Sequence, residues 1–492
     1  MISLRIQNNQ PFRIEEIPFN DAPAFYDAVA EGLSASCRMI GLFPIDEKNP
    51  ERIIALLADA ASSAIHITGG EFDPDKLVYK SHAGIFPGTN YFECELAENH
   101  NYELVDHPWH RPVRKQNVIS GDKKYAFYKM EGEEVHEVAV GPIHAGVIEP
   151  GHFRFQCHGE SVYHLEINLG YQHRGVESLI PSSKPNQRII LAESIAGDTV
   201  IGHTYAHCAA IEALSNTPIP LRAQVIRSIA EELERVAMHL SSLGGIANDI
   251  GLAIVAASYG RIRTLVINSL AQLCGSRFGR GLFNYGGVRF DFTDEIIERV
   301  IANLAAVKKD ALKISEVLFT SNGALLRFDE VGTVSRDFAR EIGLTGIPAR
   351  ACNIETDTRI QFPYGAYRYY PISLIHLQTG DVFARGKIRA LETDESLRFI
   401  IEQLENLPGG DILNPAGNAV PDSGVVSIVE GWRGEIVHSA FTGKAGEIGM
   451  YKIKDPSFNN WYGLGLALRG TPISDFPLCN KSFDLSYSGH DL

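Results

Sequence analysis

The chain has 492 residues, 45% hydrophobic and 21% charged, with 60 acidic against 45 basic side chains and a formal net charge of −15. That is the balance of a globular protein, which excludes extended disorder, and the acidic excess excludes a general nucleic-acid binder, which needs a basic face against phosphate. No run of 18 apolar residues crosses a membrane, MISLRIQNNQ lacks the apolar core of a secretory signal, and Cys37, Cys94, Cys157, Cys208, Cys274, Cys352 and Cys479 are dispersed without a C-x-x-C pair, as in reduced cytoplasmic proteins.

Residues 1–120 mix short strand-like runs with one helical pattern, NPERIIALLADAASSA, in which Ile53, Leu56, Leu57 and Ala60 fall on one face. DHPWHRPVRKQNVISGDKK follows, with two prolines, several charges and a Gly-Asp turn, and reads as a linker. This divides a small N-terminal α/β domain, 1–120, from a second domain, 121–492. GHFRFQCHGESVYHLEINLG then alternates as a β-hairpin: Phe153, Phe155 and Cys157 share a face, Gly159 turns, and Val162 to Asn168 alternate again. PLRAQVIRSIAEELERVAMHLSSL predicts a long helix over 220–243, with Ile226, Ile229, Leu233, Val236, Leu240 and Leu243 at helical spacing, opened by Pro220 and closed by Gly244–Gly245. Further helices are expected near 255–275, 293–318 and 391–406. The fold class is therefore α+β, a mainly α-helical bundle core with small peripheral β-sheets.

Chemistry-bearing residues concentrate between 144 and 207, where His144, His152, His158, His164, His173, His203 and His207 fall. Imidazole ligates metals and moves protons near neutral pH, yet no H-E-x-x-H or paired C-x-x-C is present. His203 and His207 stand four apart in IAGDTVIGHTYAHC and share a helix face; satisfied buried or surface histidines are favoured over a metal pair. GLGLALRG, 463–470, has two glycines of a dinucleotide fingerprint without the third or its acidic partner, so NAD binding does not rest on it. Glu231 and Arg235 have the spacing of a solvated i,i+4 pair; buried, Glu232 or Glu234 would instead be candidate proton carriers.

Longer strings are more specific. GPIHAGVIEPGHFRF (141–155), YQHRGVESLI (171–180), PLRAQVIRSIAEELERVAMHL (220–240), FNYGGVRFD (283–291), GDVFARGKIRALE (380–392), LPGG (407–410) and EGWRGEIVH (430–438) resemble the superfamily joining nickel-iron hydrogenase large subunits to the quinone-site subunit of respiratory complex I. The likeness is closest to energy-converting hydrogenases of the formate hydrogenlyase and hydrogenase-4 type. In these the polypeptide begins with a domain like the small accessory (NuoC-like) subunit, which residues 1–120 match more distantly. The family binds nickel and iron through two C-x-x-C pairs; the equivalent positions here are Ala196, Thr199, Ser486 and Gly489. Soft thiolate is what such a centre requires, so the resemblance implies no hydrogenase reaction and no metal or other cofactor in this chain. The complex I branch uses the same cavity for quinone; its quinone histidine falls at His144 or His152, and its tyrosine falls at Gly197.

Other family positions persist. Glu177 of the HRGxE string is the implied proton carrier, His144 or His152 a hydrogen-bond donor to the electron acceptor, and Arg433 an electrostatic clamp, with Trp432 in place of the family proline. The resemblance implies an electron-transfer component that docks on an iron–sulfur (NuoB-like) small subunit, a ferredoxin-like subunit and integral-membrane ion-translocating subunits. It would be peripheral on the inner face of the cell membrane, and its cavity would serve proton movement or quinone. Cleavage of the segment after Phe483, which depends on nickel insertion, is not expected. Two alternatives stand beside this reading: a catalytically silent structural subunit, and a new hard-metal site from Asp198, His203, Asp484 and His490.

Overall fold

The computed structural model describes residues 2–115, 125–144, 146 and 148–492. Its axis is the Leu221–Asp249 helix, packed by the Ala253–Cys274 and Val382–Glu405 helices, with Asp294–Thr320 completing the bundle against those two. The predicted apolar stripe is in the core, where each large side chain contributes about 1.5–3 kcal/mol. Gly244–Gly245 do not end this helix, which runs on to Asp249 and closes at Gly251 with φ 78°. The glycines serve packing: a methyl on Gly245 would overlap Lys481 of the Phe476–Phe483 helix. GLGLALRG begins inside a helix, Pro456–Ala467, so no strand precedes it as a dinucleotide fold requires.

Small sheets surround the bundle. His152–His158 and Ser161–Asn168 form the expected antiparallel hairpin, extended by Val135–Val140. Ser423–Gly431, Gly434–Thr442 and Ile448–Lys454 form an antiparallel meander. In the N-terminal region a five-stranded sheet runs Leu4–Ile6, Ala64–Glu71, Arg52–Asp59, Arg38–Pro44, and Phe19–Asp21 joins Ala64–Glu71 in parallel.

The helix expected over residues 49–64 is absent; Arg52–Asp59 is a strand. Ile53, Ala55 and Leu57 enter one apolar cluster while Ile54, Leu56 and Ala58 enter another on the opposite face. A strand covered on both sides is apolar at every position, and a continuous apolar run imitates a helical stripe.

The boundary expected at 120 lies outside the described residues. The two regions it would separate share structure: Phe12–Arg13 pairs with Ser423–Gly431 as a fourth strand of the meander. Asn8 donates to the Phe362 and Ile428 carbonyls, both at 2.8 Å. Ion pairs Arg38–Glu435 and Lys452–Glu95 cross the same contact.

Candidate functional site

Two chain segments meet where the Val200–Leu214 helix begins. That helix starts against the central one: Glu234 accepts from the amides of Ile201 at 2.8 Å and Gly202 at 3.2 Å, groups that helix geometry leaves without partners. Burial pushes the Glu234 carboxyl up to about 8 despite those two amides. The second segment is the C-terminal turn Tyr487–Asp491, capped by Ser486, whose hydroxyl accepts from Gly489 N at 2.8 Å. Arg174 ties the segments together, donating to the carbonyls of Ile195 at 2.8 Å and Ser488 at 3.1 Å.

Ala196, Thr199, Ser486 and Gly489 thus lie at one junction, all buried. They do not fit a nickel–iron centre. Ala196 and Gly489 have no donor atom, the Ser486 hydroxyl is a helix cap, and Thr199 is held by other side chains. A Cβ on Gly489 would lie 2.6 Å from Asp455 Oδ2, leaving no room for a cysteine.

What the junction holds instead is an ion pair. Arg433 donates to both Asp198 oxygens at 2.7 Å, to Thr199 Oγ1 at 3.0 Å and to the Asp484 carbonyl at 2.5 Å. The fork matches the carboxylate, the strong form of this interaction. Burial would lower the Arg433 pKa, but Asp198 lifts it above the ordinary value. Trp432 completes the arrangement: its Nε1 donates to the Asp198 carbonyl at 2.8 Å, and the Arg433 guanidinium lies 3.9 Å over its ring. Arg433 is therefore clamped on Asp198. The Asp198 side chain keeps 40% exposure, so the pair reaches the surface of the protein.

His203 and His207 are both fully buried and satisfied. His203 Nε2 is 3.0 Å from Asp455 Oδ2 and its Nδ1 3.1 Å from His438 Nε2. His207 bonds the Tyr451 hydroxyl at 2.7 Å and the Tyr285 hydroxyl at 2.8 Å. Cys208 packs in the core.

The candidate donors to an acceptor are already committed. His144 Nε2 gives its proton to the Gly151 carbonyl at 2.8 Å, and His152 Nδ1 gives its own to Gly141 at 3.2 Å. A neutral imidazole has one N–H, so the second nitrogen of each ring is an acceptor; on His152 it is buried and unpartnered. Either ring donates to a ligand only after taking a second proton. Glu177 accepts from Lys452 Nζ and, at 2.9 Å, from Ile453 N. It lines a cavity of about 330 Å³ with Arg114, Lys115, His173 and Lys452.

Asp198, His203, Asp484 and His490 are not assembled as a metal site. Asp198 pairs with Arg433, His203 with Asp455, Asp484 with Lys481 and Ser242, and His490 with Asp491. Among the described residues no three His, Cys, Asp or Glu side chains are grouped to hold a metal.

Nor do Glu231 and Arg235 form a solvated pair: Glu231, Glu232, Glu234 and Arg235 are all buried. The ion pair is Glu232–Arg235, three apart, with Arg359 as a second cation on Glu232. Glu231 accepts from the Tyr364 hydroxyl at 2.8 Å, while Tyr367, 3.2 Å away, gives its one proton to Glu232 at 2.6 Å; burial raises Glu231 to about 8.

Sequence reasoning did not single out Asp455, His438, Tyr451 or Tyr285. His438 closes the EGWRGEIVH string and Tyr285 lies inside FNYGGVRFD, so the signal was present, but only folding over more than two hundred positions brings Tyr451 to His207.

Residues 249–418 match the family described as respiratory-chain NADH dehydrogenase, 49 kDa subunit. The chain is 29% identical over 444 residues to formate hydrogenlyase subunit 5 of Escherichia coli (strain K12), covering 86% of this chain and 78% of that protein. It is 30% identical over 368 residues to hydrogenase-4 component G of the same organism, covering 75% and 63%. With an NADH-quinone oxidoreductase subunit of Chloroherpeton thalassium it shares 28% identity over 384 residues, covering 72% and 86%. These matches support a likeness to the superfamily that unites the 49 kDa subunit of respiratory-chain NADH dehydrogenase with the large subunits of energy-converting hydrogenases.

Proposed function

We propose that this chain is a peripheral subunit of a membrane-bound oxidoreductase of the complex I or energy-converting-hydrogenase type, whose degenerate nickel–iron cavity handles protons coupled to electron transfer. The observation that carries this reading is the Arg433–Asp198 fork at the junction of Ala196, Thr199, Ser486 and Gly489. A guanidinium and a carboxylate, with neutral Glu234 behind them, form a polar, chargeable cluster where thiolate-bound metal would stand. The neighbours it would use are an iron–sulfur small subunit, a ferredoxin-like subunit and integral-membrane ion-translocating subunits. Among the described residues no helix is long and apolar enough to cross a membrane, so attachment would run through those partners.

Quinone is the candidate acceptor. His152 supports it, because its unpartnered Nε2 would become a donor on protonation and would accept again once the proton has passed on. The silent-subunit alternative draws on the same fork: Arg433 and Asp198 satisfy each other and need no ligand.

Elemental analysis of the complex purified without chelators, with redox and ion-pumping assays of Arg433→Ala and Glu177→Gln, tests the proposal. Substoichiometric nickel with at least a tenfold loss of coupled turnover in Arg433→Ala is the expected result. Stoichiometric nickel in this chain overturns the proposal; full activity of both variants leaves the silent subunit.

A further inference from the structure

Beyond the ion pair, the junction has a second polar feature. Asp455, near Arg433 and against Gly489, is the inner end of an unbranched file of hydrogen bonds. The links run Asp455 Oδ2 to His203 Nε2, 3.0 Å; His203 Nδ1 to His438 Nε2, 3.1 Å; His438 Nδ1 to Tyr451 OH, 2.7 Å; Tyr451 OH to His207 Nδ1, 2.7 Å; and His207 Nε2 to Tyr285 OH, 2.8 Å. The Tyr285 hydroxyl ends 3.1 Å from the carbonyl of Pro185, an exposed residue.

We propose that Asp455, His203, His438, Tyr451, His207 and Tyr285 form a proton wire joining the Asp198–Arg433 junction to the surface beside Pro185. This rests on the reading that the cavity handles protons.

The bonding rules of the groups carry the argument. A neutral imidazole has one donor and one acceptor nitrogen, and a hydroxyl has one proton to give. Tyr451 stands between two Nδ1 atoms, so it donates to one and accepts from the other, and that choice fixes every link along the file. Two orders exist. In the inward order Asp455 is ionised and accepts from His203 Nε2–H, His203 accepts from His438 Nε2–H, His438 from Tyr451 O–H, Tyr451 from His207 Nδ1–H, and His207 from Tyr285 O–H. In the outward order every link is reversed, Asp455 holds a proton, and the Tyr285 hydroxyl turns to the Pro185 carbonyl.

The two orders differ by one proton. Passing from inward to outward, each ring releases a proton from one nitrogen and gains one on the other. Asp455 gains the proton from His203, Tyr285 gives its own to His207 and takes one from water, and no electron moves. The net change is one proton from solvent to Asp455. Burial holds His207 down to about 3 and His438 well below the ordinary imidazole value, so these two rings stay neutral in both orders and the proton does not settle on them. A file serving only to satisfy buried polar groups would be expected to branch to backbone; His203, His438, Tyr451 and His207 make every described side-chain hydrogen bond within the file.

Ring-¹⁵N histidine NMR of the full chain tests the wire without an activity assay. The expected wild-type tautomers of His203, His438 and His207 are Nε2–H, Nε2–H, Nδ1–H as a set, or the complete opposite set. A mixed set overturns the proposal. Solvent exchange of the His203 and His438 ring protons should slow at least tenfold in Tyr451→Phe and in half-buried Tyr285→Phe; unchanged exchange in both overturns it. In the assembled complex, Tyr451→Phe should lose at least tenfold in coupled turnover. Unchanged turnover removes the wire from the cavity's proton route while the proposed function stands. A wild-type complex without redox activity counts against that function instead, and tautomers and exchange then decide the wire alone.

Discussion

Glu231 and Glu232 are neighbours on one buried helix and are driven to opposite protonation states. Burial raises both; Arg235 and Arg359 reverse this for Glu232 and hold it down to about 2, while Glu231, with tyrosine hydroxyls against its oxygens, stays at about 8. The raised Glu231 binds a proton in the folded state that the unfolded chain releases above about 4.5. Its stabilising share is full below that pH and is lost as pH climbs to about 8. Glu231→Gln should therefore remove up to about 1.4 kcal/mol per pH unit from the downward slope of stability across that window, at a cost of about 1 kcal/mol or less at neutral pH. Glu232→Gln leaves two buried guanidinium groups under-compensated and should cost about 3–5 kcal/mol. Urea unfolding at several pH values measures both, and equal effects would sink the assignment. The sequence could not show this difference. Helical spacing pairs Glu231 with Arg235, but Arg359, from a distant part of the chain, selects Glu232.

The legible elements are those with one apolar and one polar face. The Ser161–Asn168 strand alternates because Leu165 and Ile167 on one face stand against Glu166 and Asn168 on the other, where Glu166 accepts from the Tyr125 hydroxyl and Tyr128 N, and the long helices show their stripe because packing repeats every turn. Arg52–Asp59 loses its alternation because both faces are covered. Ser423–Gly431 and Gly434–Thr442, buried at every position, give no strand period either, although they flank the Trp432–Arg433 turn. That turn was visible only through its family resemblance, and its position depends on a residue with no such signal. Gly346, with φ 62°, lies so close that a Cβ would overlap the Arg433 carbonyl. Gly346→Ala should lose about 1–3 kcal/mol from backbone strain alone, and more as the turn is pushed away and Arg433 leaves Asp198. A denaturant midpoint matching wild type would show that the turn is not held there.

At the scale of the molecule, the N-terminal region and the rest are built as one body despite the linker-like composition between them. Ile6, Phe12, Ile54, Leu56 and Ile67 share an apolar cluster with Val426, Ile428, Val437 and Phe441, so separating them would bare a sheet face from each. Residues 125–492 produced alone should bind hydrophobic dyes and precipitate, and co-production with residues 2–115 should restore a soluble pair. The ion pairs across the contact make that association sensitive to acid. Burial opposes ionisation of Glu95 and Glu435, but Arg114 and Lys452 on the first, and Arg38 and Lys454 on the second, hold both down to about 2. A folded pKa below the unfolded value gives stability that is complete above about 4.5 and lost as pH falls toward 2. Sedimentation of the fragment pair should therefore show one complex at neutral pH and separation within that acidic window. A pair that stays associated through the window would mean that the apolar cluster alone joins the two regions; a fragment 125–492 that is monomeric and dye-silent would mean that the shared core is not needed at all.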